Sequence, residues 1–99
     1  MKVLVSDQLG DIGIRMFEEE EGITADVKTG LSPEDLKKII GEYHALVIRS
    51  ATRVTADLMG EAKKLKVVGR AGIGLDNVDI PAATKHGIIV MNTPTGNVI

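Results

Sequence analysis

Two arginines, Arg49 and Arg70, are the residues of this chain best suited to bind an anion. Each follows a short apolar run, Ala45–Ile48 for Arg49 and residues 67–69 for Arg70. A guanidinium group matches carboxylate and phosphate oxygens through two parallel hydrogen bonds. Small, hydroxyl and glycine residues come directly after the arginines, in Ser50-Ala51-Thr52 and Ala71-Gly72-Ile73-Gly74. This combination predicts a site for a carboxylate or a phosphate.

The glycine-rich segment Gly72-Ile73-Gly74 has a second interpretation, because it begins like a dinucleotide-binding GxGxxG pattern. The third glycine of that pattern would fall at Asn77, and Asn92 stands near the place of the expected ribose-binding acid. We therefore do not expect this segment to bind NAD. Successive backbone N–H groups in such a turn can bind a carboxylate. The alternative is a tight turn in which glycine only supplies positive φ.

Other candidate functional residues are weaker. His44 and His86 have no neighbours at a spacing that suits a metal ion or a nucleophile, and we expect structural or surface roles for both. The four acids at 18–21 are expected to form a solvated face. Asp7 after the first apolar run resembles the acidic pocket of receiver domains, but those need a second Asp where this chain has Arg49.

The composition excludes several classes of function. The net charge is −2 and aromatic residues make up 2% of the chain, which does not suit a nucleic-acid-binding surface. The chain contains no cysteine, so it has neither disulfides nor a thiolate metal site. No apolar run approaches the roughly 18 residues that cross a membrane. We therefore expect a cytoplasmic protein that binds neither nucleic acid nor membrane.

Short apolar runs alternate with segments of helical periodicity along the chain. The runs have the length and β-branched content of buried parallel strands, and they cover residues 2–6, 23–27, 45–48, 67–69 and 88–91. Helices are predicted between them, over 10–21, from Ser32 to Gly41, from Thr55 to Ala62 and from Asp79 to Gly87. The side chains of Ser32, Thr55 and Asp79 can cap the last three helices.

This alternation predicts an α/β fold with an open, parallel, five-stranded sheet and helices on both faces. Right-handed crossovers favour the flavodoxin-like strand order 2-1-3-4-5. Ligands bind such sheets beyond the carboxyl ends of the strands, and Arg49 and Arg70 are both predicted to lie there. The alternative is a solvated rim in which the arginines pair with Asp7 or Asp76.

Three segments carry a resemblance to a known family: VIRSAT at 47–52, GRAGIGLDNVD at 69–79 and VMNTPTGN at 90–97. The chain resembles the D-isomer-specific 2-hydroxyacid dehydrogenases over essentially its whole length. RSAT after the third strand favours the phosphoglycerate-oxidising branch of that family over its formate, lactate and glycerate relatives. Enzymes of this branch pass hydride from 3-phosphoglycerate to NAD, which yields 3-phosphohydroxypyruvate for serine biosynthesis.

The resemblance also implies a set of substrate-binding residues. Arg49 would lie near the substrate phosphate, and the backbone N–H groups of Ile73 and Gly74 would hold its carboxylate. Arg70 would add positive charge, and Asn97 would face the cleft. The complete implied set is Arg49, Ser50, Ala51, Arg70, Gly72, Ile73, Gly74 and Asn97.

The resemblance further implies that residues 1–99 are the N-terminal part of a substrate-binding domain. The family's NAD-binding domain, with its catalytic arginine, glutamate and histidine, has no counterpart in this sequence. We therefore expect no catalytic, cofactor-binding or metal-binding residue here, and no catalysis by the isolated chain. In the family a C-terminal segment also packs on this domain, so we expect its absence to leave an apolar patch that causes weak self-association or marginal stability. The alternative is a flavodoxin-like structural or weak anion-binding module without catalysis.

Overall fold

A computed structural model describes residues 1–7, 22–49, 51–71 and 77–93 of the chain. Its elements are β1 (Lys2–Val5), β2 (Thr24–Val27), α1 (Pro33–Ile39), a 3-10 turn (Ile40–Glu42), β3 (Ala45–Ile48), α2 (Ala56–Glu61), β4 (Val67–Ala71), α3 (Ile80–Lys85) and β5 (Ile89–Thr93). The described strands form one parallel sheet in the order β2-β1-β3-β4-β5. The predicted strand order is therefore confirmed. The helix predicted over 10–21 lies outside the described residues.

The strands β4 and β5 both run further than the sequence predicts. Arg70 pairs with Asn92, and Ala71 pairs with Thr93. Polar residues had marked these positions as loop, but parallel pairing satisfies their backbone groups and keeps both segments extended. Arg70 therefore belongs to a strand of the sheet and not to the loop that follows it.

The three described α-helices begin at the predicted capping residues. In each case a side-chain oxygen of the cap accepts a hydrogen bond from the N–H group three residues later, as in an N-cap. These bonds run from Asp35 to Ser32 Oγ at 3.2 Å, from Leu58 to Thr55 Oγ1 at 3.2 Å and from Ala82 to Asp79 Oδ1 at 3.1 Å. The caps fix the chain direction where it leaves each preceding connection.

The described helices cover one face of the sheet. Side chains from alternate strand positions, Leu4, Leu46, Ile48 and Val68, join helix residues in one buried cluster. The helix residues of this cluster include Leu36, Ile40, Leu58, Met59 and Ala83. A second cluster on the opposite face contains Val3, Val5, Ala45 and Val47. The period-two alternation of the strands separates the two clusters.

The outer strands of the sheet expose apolar side chains. On β5, Ile89 is 63% and Met91 is 54% exposed, and on β2 Val27 is 43% exposed. Across the described ranges, no helix is long and apolar enough to cross a membrane. The exposed apolar surface of β5 lies next to β4, the strand that carries Arg70.

Candidate functional site

The candidate site lies at the carboxyl ends of β1, β3 and β4. Asp7 follows β1, Arg49 follows β3, and Arg70 lies in the last part of β4. Because the strands are parallel neighbours, all three residues come to one edge of the sheet. The backbone N–H of Ser6 donates to the carbonyl oxygen of Val47 at 3.1 Å and extends the β1–β3 pairing towards this edge.

The Asp7 carboxylate holds the loop that follows β3. Its Oδ2 accepts hydrogen bonds from the backbone N–H groups of Arg49 at 2.7 Å and Thr52 at 2.9 Å. Its Oδ1 accepts a hydrogen bond from Thr52 Oγ1 at 2.6 Å. Asp7 is only 5% exposed, so these bonds replace the water that a carboxylate needs. Hydrogen bonds to an ionised acceptor are the strong kind, and they fix the loop firmly.

The hydroxyl groups of Ser6 and Thr52 complete this arrangement. The two oxygens are 2.8 Å apart, and both residues are buried. The single hydroxyl proton of Thr52 goes to Asp7, so Ser6 must donate to Thr52. The hydrogen bonds therefore run in one direction, from Ser6 to Thr52 and from Thr52 to Asp7, and each of the two hydroxyl groups has a partner.

The Asn77 side chain holds the same loop from another direction. Its Nδ2 donates to the carbonyl oxygens of Arg49 at 2.7 Å and Thr52 at 2.6 Å. Its Oδ1 accepts from Arg70 Nε at 2.6 Å. An arginine can only donate and a carbonyl can only accept, so these partners fix which end of the amide is oxygen. Asn77 thereby connects the loop after β3 with the arginine of β4.

The backbone of Asn77 is anchored beyond the end of the sheet. The N–H of Val54 donates to the carbonyl oxygen of Asn77 at 2.9 Å, and the N–H of Asp79 donates to the carbonyl oxygen of Val54 at 2.9 Å. These bonds form a parallel bridge between Val54 and Val78, and both valines are buried in the core. The packing of these two valines in the core therefore fixes the backbone position from which the Asn77 side chain extends.

The two arginines differ in their exposure. Arg70 is 8% exposed and lies between Ile48 of β3 and Asn92 of β5 in the strand register. Arg49 is exposed to solvent. Arg70 is thus buried within the sheet, while Arg49 is an exposed residue at the same edge.

A groove lies beside the loop that follows β3, between the loop and helices α1 and α2. Its volume is about 250 Å³, and its lining residues are Leu31, Pro33, Leu36, Lys37, Ala51, Arg53, Thr55, Asp57 and Leu58. Lys37 Nζ and Asp57 Oδ2 form an ion pair at 2.8 Å there. The hydrogen bond that Lys37 donates to the Asp57 carboxylate raises the pKa of Lys37. The groove is therefore lined by both apolar side chains and an ion pair.

The structure describes three of the predicted substrate-binding residues, Arg49, Ala51 and Arg70, and brings them to one edge. The others lie outside the described residues: Ser50, Gly72, Ile73, Gly74 and Asn97. Sequence reasoning missed the roles of Asp7, Thr52 and Asn77. For Asn77 the sequence did contain one signal. An amide side chain offers an acceptor and two donors on one group, so it can connect several polar groups.

The structure describes Asn77, the residue at the place of the third glycine of the dinucleotide-binding pattern. The third glycine of the NAD pattern allows close packing of helix and strand, and here its place is taken by Asn77. That side chain is engaged with Arg49, Thr52 and Arg70. In the described part of the chain, no group of three or more His, Cys, Asp or Glu side chains is arranged to hold a metal ion.

Nearly the whole length of the chain matches one protein family. Residues 3–99 match the family described as "D-isomer specific 2-hydroxyacid dehydrogenase, catalytic domain". The chain belongs to this family. The parallel sheet described above is therefore that of a 2-hydroxyacid dehydrogenase domain.

Within this family the chain is similar to proteins named D-3-phosphoglycerate dehydrogenase. It is 48% identical over 98 residues to the one from Synechocystis sp., a match that covers 99% of this chain and 17% of that protein. It is 51% identical over 96 residues to the one from Homo sapiens, which covers 97% of this chain and 18% of that protein. The chain thus spans less than one fifth of the length of these two relatives.

A solved structure gives the same result at the level of the fold. The chain superposes on NAD+-bound 3-phosphoglycerate dehydrogenase from Entamoeba histolytica with a TM-score of 0.86 and 30% sequence identity. The match covers 95% of this chain and 33% of that structure. The described fold is therefore that of one part of a longer enzyme of the family.

Proposed function

We propose that residues 1–99 form the N-terminal part of the substrate-binding domain of an NAD-dependent enzyme that oxidises 3-phosphoglycerate to 3-phosphohydroxypyruvate. The family and the names of the relatives support this substrate and this chemistry. The observation that carries the proposal is the sheet edge at which Asn77 joins Arg70 to the loop of Arg49. Two guanidinium groups at one edge suit a substrate that carries both a phosphate and a carboxylate.

The contribution of this chain is to bind and orient the substrate. Arg49, which is exposed, would contact the phosphate, and Arg70 would supply positive charge from within the sheet. Ser50 and Ala51 would contact the substrate beside Arg49. Backbone N–H groups of Ile73 and Gly74 would bind its carboxylate, and Asn97 would face the cleft.

The chemical step needs groups that the described residues do not supply. Oxidation of the hydroxyl requires a base within hydrogen-bond reach of its proton, and the described residues place none at this edge besides Asp7, which is already bonded to Arg49 and Thr52. NAD supplies the acceptor for the hydride when it is bound. We propose that the base and the dinucleotide site lie in the rest of the enzyme, and that this chain alone is inactive.

A second candidate is a module that is structural or that binds anions only weakly. The buried carboxylate of Asp7 favours it, because that negative charge lies at the same edge as the two arginines and reduces the local positive potential. The two proposals differ in whether 3-phosphoglycerate binds and whether binding requires Arg49.

The test is a titration of this chain with 3-phosphoglycerate, followed by NMR or calorimetry. We expect a dissociation constant of about 1 mM or weaker, since a few charge-assisted hydrogen bonds of ~1.5–3 kcal/mol each are offset by association costs of ~4 kcal/mol or more. Arg49→Ala should abolish measurable binding. Arg53→Ala is the matched control, because it removes the same charge from an exposed position near the end of the same loop. Equal losses in the two variants would contradict the assignment of Arg49.

A further inference from the structure

The loop that follows β3 is held at its two ends by two different side chains. Asp7 accepts hydrogen bonds from the N–H groups of Arg49 and Thr52. Asn77 donates to the carbonyl groups of the same two residues. The backbone N–H and C=O of both Arg49 and Thr52 are thus engaged, and neither end of the loop can rotate without breaking a bond.

Asn77 also binds the arginine of the neighbouring strand. Its Oδ1 accepts from Arg70 Nε at 2.6 Å, while both of its N–H groups are used on the loop. A bond at Nε restricts the orientation of the guanidinium, because that nitrogen is part of the planar group. Any change in the loop is therefore transmitted to the orientation of Arg70 through one amide.

We infer that Asn77 is a positioning residue for the anion site: it sets the orientation of the Arg70 guanidinium relative to the Arg49 loop before a ligand arrives. This inference rests on the proposed function, since the ligand it serves is the anion proposed there. Preorganised donors lower the cost of ordering flexible side chains on binding. Arginine is a clear case, because a free arginine side chain has much rotamer entropy to lose.

The chemistry of the amide explains why asparagine is suited to this position. The three partners are two carbonyl oxygens and one Nε–H, so the group must offer two donors and one acceptor. A carboxylate would keep the acceptor for Arg70 but would face the two carbonyls with a second acceptor. An alanine would offer neither. Asn77→Asp therefore removes only the bonds to the loop, whereas Asn77→Ala removes both these bonds and the bond to Arg70.

The first experiment needs no ligand. It records 15N–1H spectra of this chain that include the arginine Nε–H signals, for the wild type, Asn77→Ala, Asn77→Asp and the control Asp79→Ala. Asp79 caps α3 two residues away, so its loss tests local destabilisation without touching Asn77's partners. The Arg70 Nε–H should be protected from solvent exchange in the wild type, Asn77→Asp and Asp79→Ala, and unprotected in Asn77→Ala. The backbone N–H signals of Arg49 and Thr52 should move in both Asn77 variants and not in Asp79→Ala.

The second experiment titrates the same four proteins with 3-phosphoglycerate. Both Asn77 variants should bind at least about threefold more weakly than the wild type, since each loses hydrogen bonds that hold the site. Asp79→Ala should bind within twofold of the wild type. If Asn77→Ala does not fold, the affinity of Asn77→Asp is compared with that of the wild type, because this variant also loses the bonds to the loop.

The outcomes of the two experiments separate this inference from the proposed function. Wild-type chain that ignores 3-phosphoglycerate would contradict the proposed function, while the Arg70 Nε–H signal would still decide whether Asn77 fixes that guanidinium. Binding by the wild type that is unchanged in both Asn77 variants would overturn the positioning role alone. An Arg70 Nε–H that is equally protected in Asn77→Ala and the wild type would also overturn it.

Discussion

At the scale of single residues, the candidate site consists of buried polar groups whose partners are distant in sequence. Thr52 binds Asp7 across 45 positions, and Asn77 binds Thr52 across 25. The sequence shows that polar residues follow the strands, and from this the anion edge could be predicted. It does not show which polar groups meet, because that depends on the register of β1, β3 and β4.

Replacement of Thr52 by valine tests the energetic weight of this network. The change preserves shape but removes the hydroxyl between Ser6 and Asp7, which leaves a buried carboxylate oxygen without that donor. We expect the free energy of unfolding to fall by about 1–3 kcal/mol, the cost of an unsatisfied buried polar group. Urea unfolding followed by circular dichroism measures it.

The matched control is Thr24→Val on the exposed edge strand β2. It should change stability by no more than ~0.5 kcal/mol, as surface substitutions usually do. If the two threonines gave the same loss, the buried network would not contribute as described.

Tyr43 provides a prediction about pH. Burial and the hydrogen bond from its hydroxyl to Asp26 at 2.7 Å raise the pKa of Tyr43 to about 12. It is the chain's only tyrosine and there is no tryptophan, so tyrosinate absorbance reports on this residue alone. We expect the titration midpoint of the folded chain near pH 12, compared with about 10 for an ordinary tyrosine.

The same shift has a consequence for stability. A pKa that is raised on folding stabilises the folded state fully below the unfolded pKa, and this contribution is lost as the pH rises through the folded pKa. The wild type should therefore lose stability from pH ~10 to ~12 relative to Tyr43→Phe, by up to about 2–3 kcal/mol. Parallel alkaline unfolding curves for the two proteins would contradict this account.

At the scale of elements, local chemistry made the helices predictable. Ser32, Thr55 and Asp79 cap the helices they were expected to cap, because capping depends on residues only three positions apart. The predicted ends of β4 and β5 were wrong, because the length of a strand depends on the neighbouring strand with which it pairs, and that strand lies elsewhere in the chain. Arg70 looked like a loop residue, yet pairing with Asn92 keeps it in the sheet.

Two glycines test the conformational part of this argument with opposite signs. Gly60 lies in α2 and Gly87 follows α3 with a φ of 70°, and an added methyl group would meet open space at both. Gly60→Ala should stabilise the chain by ~0.5–1 kcal/mol through reduced backbone entropy in a helix. Gly87→Ala should destabilise it by ~1–2 kcal/mol, because L-residues avoid positive φ. Thermal unfolding of both variants measures this, and changes of the same sign would be inconsistent with it.

At the scale of the whole molecule, the strand order followed from pattern and handedness. Alternating apolar runs and helices left few topologies, and right-handed crossovers selected the order 2-1-3-4-5 that the structure shows. The bridge between Val54 and Val78 was not predictable, because it joins two connections outside the regular strands. That bridge is what brings Asn77 to both arginine segments.

The exposed apolar face of β5 leads to a prediction about association. Ile89 lies at 63% exposure on an edge strand, where unpaired backbone groups and apolar side chains favour contact with another copy. We expect weak concentration-dependent self-association in sedimentation velocity, reduced by Ile89→Lys. Ile80→Lys on α3 is the control and should leave it unchanged. A wild-type chain that stays strictly monomeric over the dilution series would count against this.

The most direct test of the central claim is a 15N–1H correlation spectrum of the chain during a titration with 3-phosphoglycerate. The account predicts dispersed signals, with ligand-induced shifts confined to the loop of Arg49 and Thr52 and to the segment that begins at Arg70. Such a result would show that the two arginine segments joined by Asn77 form part of a substrate site. Dispersed signals that do not respond to the ligand, or shifts confined to other elements, would contradict it.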